Sequence, residues 1–412
     1  MRAAAPHRLM KASPLGLPLL ALALWCAWPT ATASHPAAGV DLKAYRRGRA
    51  LVEAFECNRC HDGTGLADVP RAKHCVRCHQ DIFAGRFEAP EDALARWRGN
   101  ITHLTRVPSL TALDARMRRD WLRDFLLEPH DLRPGMEATM PRLALTPSQA
   151  RAVAAYFIPP TPPEPTPDGD VARGLRLLNT RGCGTCHRFS GAPLTASPLP
   201  TPLDAAALKR GMALAPDLGV TRERFRPAAL VRWLRDPVGV KPDTAMPPIP
   251  LTEAEAIDVA TAILKAPRAP EPPPPMPPRL PVLERRVTYD EVSAAVFRKV
   301  CWHCHSEPEY ANGDGGPGNT GGFGFAGRGL NLASYTAASM GLKDAHGQRR
   351  SLFTPRSEED PTPYLIAVLR ARQAEERGRP VPGLRGMPLG LPALSPEAIQ
   401  LIESWIAQGR PR

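Results

Sequence analysis

The stretch Gly174-Leu-Arg-Leu-Leu-Asn-Thr-Arg-Gly-Cys183-Gly-Thr-Cys186-His187 decides how the chain is read, because the pattern of its last five residues recurs three more times. The other copies are Cys57-Asn-Arg-Cys60-His61, Cys75-Val-Arg-Cys78-His79 and Cys301-Trp-His-Cys304-His305. Together they use every cysteine of the 412-residue chain except Cys26. Two thiols three positions apart share one face of a helical turn, and the histidine that follows reaches out on the same side.

That frame suits covalent haem, whose vinyl groups take up the two thiols while the neighbouring imidazole binds iron. The expected attachment residues are Cys57, Cys60, Cys75, Cys78, Cys183, Cys186, Cys301 and Cys304. The expected proximal ligands are His61, His79, His187 and His305. Zinc is the competing reading, since Cys57/Cys60 and Cys75/Cys78 are close enough in sequence for a Cys₄ site. It does not explain why a histidine follows all four pairs, and it strands the two distant pairs. A thioredoxin-like dithiol calls for a βαβ pattern that the sequence lacks.

Two proline-rich breaks, residues 159–168 and 266–282, read as semi-rigid polyproline spacers. They leave segments 38–158, 169–265 and 283–412, the first with two of the motifs and the others with one each. The first two segments repeat one another. Gly48 and Gly174 each stand nine residues before a motif cysteine. Val107-Pro108-Ser-Leu110 answers Ala215-Pro216-Asp-Leu218, and Trp121-Leu-Arg-Asp124 answers Trp233-Leu-Arg-Asp236. Met140-Pro141 and Met246-Pro247 then precede Thr146 and Thr252, each predicted to open a helix through a capping box with Gln149 or Glu255. In the third segment Met387-Pro388 precedes Ser395-Pro396, a hydroxyl cap followed by proline, with Ile399, Ile402 and Ile406 on one face. Its Gly-rich run, Gly313 to Gly329, fits no phosphate-cradling spacing and reads as a flexible surface loop. It lacks a clear Pro-x-Leu and the glycine before its helix.

Helix, CxxCH, Pro-x-Leu loop, Trp-bearing helix, Met-Pro and closing helix together resemble the class I c-type cytochrome domain, repeated three times over nearly all of the chain beyond residue 38. The resemblance implies a mainly α fold of three tandem helical domains, one dihaem and two monohaem, with four haems c. It also implies methionine opposite histidine, pairing His61 with Met140, His187 with Met246 and His305 with Met387. Proline after each methionine keeps its backbone extended, and a thioether ligand raises reduction potential relative to a second imidazole. The haem of His79 is additional. Its far ligand is open among His74, His103, His130, Met117 and Met136, or absent; His103, just before Val107-Pro108, is the preferred choice. His303 receives no role.

Residues 1–33 combine Arg2, Arg8 and Lys11 with an apolar stretch from Leu15 to Trp28 and Ala31-Thr32-Ala33, the pattern of a cleaved secretory signal. The expected export is to a periplasm, which fits c-type haem attachment. An uncleaved anchor is the alternative. No apolar run, that of Leu15 to Trp28 included, reaches the ~18 residues a spanning helix needs. At 43% hydrophobic and 23% charged residues the composition is that of a globular chain, which excludes a coiled coil and wholesale disorder. The formal charge is +12; cleavage would remove three cations, and roughly two propionates per haem would cancel most of the rest. No basic run points to nucleic acid. The expected function is electron carriage between unidentified redox partners, without catalysis. A cytochrome subunit of a membrane dehydrogenase or quinol-oxidising complex, a dihaem-peroxidase-like enzyme with an open iron, and a zinc or interaction module are the alternatives.

Overall fold

Thr146 and Thr252 turn extended chain into helix by reciprocal capping. Thr146 Oγ1 accepts the Gln149 N–H at 3.2 Å while Gln149 Oε1 accepts the Thr146 N–H at 2.8 Å. Thr252 and Glu255 form the same pair at 3.2 and 2.8 Å, and Ser395 Oγ accepts the Ala398 N–H at 3.2 Å. Each cap satisfies N–H groups that a helix start leaves without partners. The three closing helices that follow are Pro147–Phe157, Glu253–Lys265 and Pro396–Ala407.

The computed structural model describes residues 41–412 apart from 102, 131, 135, 137–139, 268–271 and 307–317. The expected signal segment, 1–33, lies outside the described residues. Among the described residues fifteen α-helices account for most of the regular structure, and the only strands are two antiparallel pairs of two residues each. None of the described helices is long and apolar enough to cross a membrane.

Each closing helix packs on an opening helix: Leu42–Ala54, Val171–Thr180, and Tyr289–Val292 with its π-helical continuation Ser293–Cys301. The first two crossings require glycine. A Cβ on Gly48 would lie 2.3 Å from the Ala152 carbonyl oxygen, and one on Gly174 would lie 2.2 Å from that of Asp258. In the third pair fully buried Val292 stands nine residues before Cys301, and the space is organised around fully buried Trp405. Its indole meets Phe297 and Phe353 edge-on, with centroids 6.2 and 5.2 Å away. The helices Arg119–Leu127 and Pro227–Arg235, which carry Trp121 and Trp233, pack on the first two closing helices, and Tyr364–Glu375 does so in the third.

Three buried clusters result, running from Val52 to Ile158, from Leu178 to Ala266 and from Val287 to Trp405. The lobes around them touch. Met117 pairs as an isolated bridge with Phe225 and packs on both the first and second clusters. Arg142 meets Glu375 at 3.5 Å, joining first to third. The proline-rich linkers lie along the lobes, their unpaired carbonyls available to side chains. Arg377 Nε donates to Pro275 O at 2.8 Å and Gln400 Nε2 to Pro281 O at 2.7 Å.

The Gly-rich run departs from the expected flexible loop. Its described part forms a hairpin, Gly321–Gly322 with Phe325–Ala326, docked on the first lobe. The Phe323 N–H donates to Glu56 Oε2 at 2.9 Å, and the Arg59 guanidinium lies 5.0 Å from the Phe323 ring centre. Gly324, at φ +75°, lies so close to Phe55 that a Cβ would sit 2.4 Å from its ring. Glycine here permits a turn and a close approach, which a composition reading takes for looseness.

Candidate functional site

Three of the four motifs adopt a tight turn. The histidine N–H reaches back to the first cysteine's carbonyl at 2.9 Å in His61, His187 and His305. The second motif instead begins a regular helix, Cys75–Phe83, capped by His74, whose Nδ1 accepts the Arg77 N–H at 3.3 Å.

The Pro-x-Leu loops explain how two histidines are held. His61 Nδ1 lies 2.8 Å from the Pro108 carbonyl oxygen, and His187 Nδ1 lies 2.8 Å from that of Pro216. A carbonyl can only accept, so Nδ1 carries the proton and Nε2 keeps its lone pair. Leu110 N–H and Leu218 N–H then donate to Asp62 O and Arg188 O, each at 2.8 Å, fastening the loop beside the motif. Burial holds both histidines below their ordinary pKa, so the rings are neutral, as a metal ligand must be.

The third lobe has the same device without proline. The Leu332 N–H donates to His305 O at 2.8 Å, and the backbone of Leu330 lies beside the His305 ring. Leu330-Asn331-Leu332 thus stands where the first two lobes have Pro-x-Leu. His305 Nδ1 is buried without a well-formed hydrogen bond among the described residues, and burial takes its pKa down to about 4. For the second motif, His79 Nδ1 lies 3.2 Å from the backbone oxygen of His103, and burial, then His303 and His103, take its pKa to about 4. The backbone of His103 therefore stands behind the His79 ring, as Pro108 and Pro216 stand behind theirs.

The eight motif cysteines, four motif histidines and three Met-Pro methionines all line one cavity of about 1400 Å³ that runs through the three lobes. That exceeds the ~300–1,000 Å³ of a single small-molecule site. Met140, Met246 and Met387 each pack against the cluster of their own lobe. The Trp233 indole N–H donates to Met246 Sδ at 3.0 Å. Of the other residues expected as a far ligand for the His79 motif, His130 Nδ1 lies 3.0 Å from Glu128 O and Met136 Sδ accepts from Arg133 at 3.5 Å, while His74 Nε2, 3.4 Å from Asp62 Oδ1, is buried without a hydrogen-bond partner among the described residues. Met117 is at the contact of the first two lobes.

These residues fit haem better than the rival chemistries. Burial raises Cys57 and Cys183 to about 11 and Cys301 to about 12, so they are neutral thiols and poor thiolate nucleophiles. The Cys60 thiol, hydrogen-bonded to Cys75 and buried, is also raised. Among the described residues no three His, Cys, Asp or Glu side chains converge as a zinc centre needs. The cavity wall also carries excess positive charge. Arg133 and Arg116 both repel Arg224, and burial, ahead of that repulsion, takes Arg224 down to about 10. Arg224 Nε and Arg385 Nε are buried without a hydrogen-bond partner among the described residues. Both line the cavity. Such cations call for an anionic group beside them, which haem propionates would supply.

No protein-family model, curated protein or solved structure matches the chain.

Proposed function

We propose that the chain is a periplasmic tetrahaem c-type cytochrome that carries electrons between redox partners. The observation that carries this reading is the matched arrangement around His61 and His187. In each, a motif histidine, a proline carbonyl on Nδ1, a leucine N–H fastening the loop and a Met-Pro methionine border one apolar chamber. The lobes are read as three tandem cytochrome c-like domains, bounded as the sequence suggests, with Met140, Met246 and Met387 as distal ligands. Haem supplies one-electron exchange between ferrous and ferric iron. The chain's own residues do the rest. Thiol pairs tether each group, Nδ1 hydrogen bonds aim the imidazoles, buried arginines offset carboxylate charge, and apolar walls exclude water.

A pyridine haemochrome assay with intact mass on exported protein tests the proposal. Four covalent haems per chain are expected; two or three would remove much of the assignment, and a colourless protein all of it.

A further inference from the structure

The fourth motif, Cys301-Trp-His303-Cys304, carries a histidine between its two cysteines, and the fold brings it to the second motif. The rings of His79 and His303 have centroids 6.5 Å apart at an interplanar angle of 60°. Two metal–nitrogen bonds of ~2 Å, with ~1 Å from each nitrogen to its ring centre, separate the centres of two axial imidazoles by ~6 Å. The observed spacing is the one that an iron between them requires.

Resting on the tetrahaem reading, we propose that His303 is the distal ligand of the iron bound by His79, so that one lobe completes the coordination of a haem tethered to another. Three further observations point the same way. His79 presents Nδ1 to the His103 carbonyl, which turns Nε2 away from the His103 backbone. His303 sits in a fixed turn: Trp302 Nε1 donates to Leu332 O at 2.8 Å, and the His305 N–H donates to Cys301 O at 2.9 Å. The same two lobes are clamped by the Phe323 N–H on Glu56 and by Arg59 over Phe323. His303 also lines the same cavity as His79. The His103 backbone takes the place that Pro108 and Pro216 have, behind the proximal ring. Reaching the opposite face of the iron from there would take its side chain around the porphyrin edge.

The test uses the full-length holoprotein. Ferric electron paramagnetic resonance and near-infrared magnetic circular dichroism should show one bis-imidazole haem and three imidazole–thioether haems. In His303→Ala the bis-imidazole signature should be lost, and the ferrous protein should gain one carbon monoxide site per chain. Added imidazole should restore the signature and close that site. His303→Met should keep the iron six-coordinate and raise the potential of that one centre. His103→Ala should leave the signature in place. An unchanged signature with no carbon monoxide site in His303→Ala overturns the proposal, as does the appearance of that site in His103→Ala instead. Fewer than four haems in the unsubstituted protein, counted first, is a failure of the tetrahaem reading itself and is recognised before any variant is compared.

Discussion

A single indole nitrogen offers the sharpest test at the scale of residues. Trp233 donates to Met246 Sδ, drawing electron density from a thioether read as an iron ligand. Ferric iron asks more of that sulfur than ferrous iron does, so the hydrogen bond favours the reduced state. Trp233→Phe should lower the potential of that centre by about 20–60 mV, from a bond of ~0.5–1.5 kcal/mol and ~59 mV per tenfold change for one electron. Potentiometric titration resolves it, and no shift would mean that the sulfur is not an iron ligand. The cysteine-histidine frames and Met-Pro pairs are visible in the sequence because they recur at fixed offsets. Leu330 is not, since only its backbone contributes and no side chain announces it. His303 gave no signal either, because its neighbour across the lobes, His79, is 224 positions away in the chain.

At the scale of elements the crossings of opening and closing helices carry the argument. Alanine at Gly174 would gain about 1 kcal/mol in helix propensity. Its Cβ would nevertheless meet the Asp258 carbonyl and the Ala262 methyl, and overpacking of this kind costs about 1–3 kcal/mol. Gly174→Ala should therefore lower the thermal midpoint of the second lobe, and a raised midpoint would refute the close crossing. The same helices are locked by buried Asp258, which accepts from the Arg173 guanidinium and from the Asp170 N–H at 2.8 Å. Arg173, above all, holds this carboxyl below its ordinary range. A depressed folded pKa adds stability above the unfolded value of ~3.9 and loses it as pH falls through the folded value. Asp258→Asn should flatten the acid limb of a denaturant-midpoint profile between about pH 2 and 5. Spacing revealed the two glycines and the capping boxes. The π-helical opening of the third lobe was not legible, since Val292 replaces the glycine and aromatic packing on Trp405 replaces the close crossing.

For the whole molecule, the linkers suggested either splayed or packed lobes, and contacts between distant segments decide for packing. Glu56 and Phe323, 267 positions apart, hold the glycine-rich hairpin to the first lobe. Glu56→Ala combined with Phe323→Ala removes that acceptor and a cation–π contact of ~0.5–1 kcal/mol. Limited proteolysis within Gly321–Ala326 should quicken in the double variant, and an unchanged rate would show that other contacts hold the hairpin. Local composition could not foresee this docking, because glycine marks a loose loop and a close approach alike.

The shared chamber also imposes an order in time. Its walls come from every lobe, and all four thiol pairs line it, so a group tethered at any pair would fill space that the lobes pack around. On the tetrahaem reading, biogenesis must tether porphyrin to the emerging polypeptide before assembly ends. A failure at any one pair would then leave a misfolded precursor for quality-control proteases to remove.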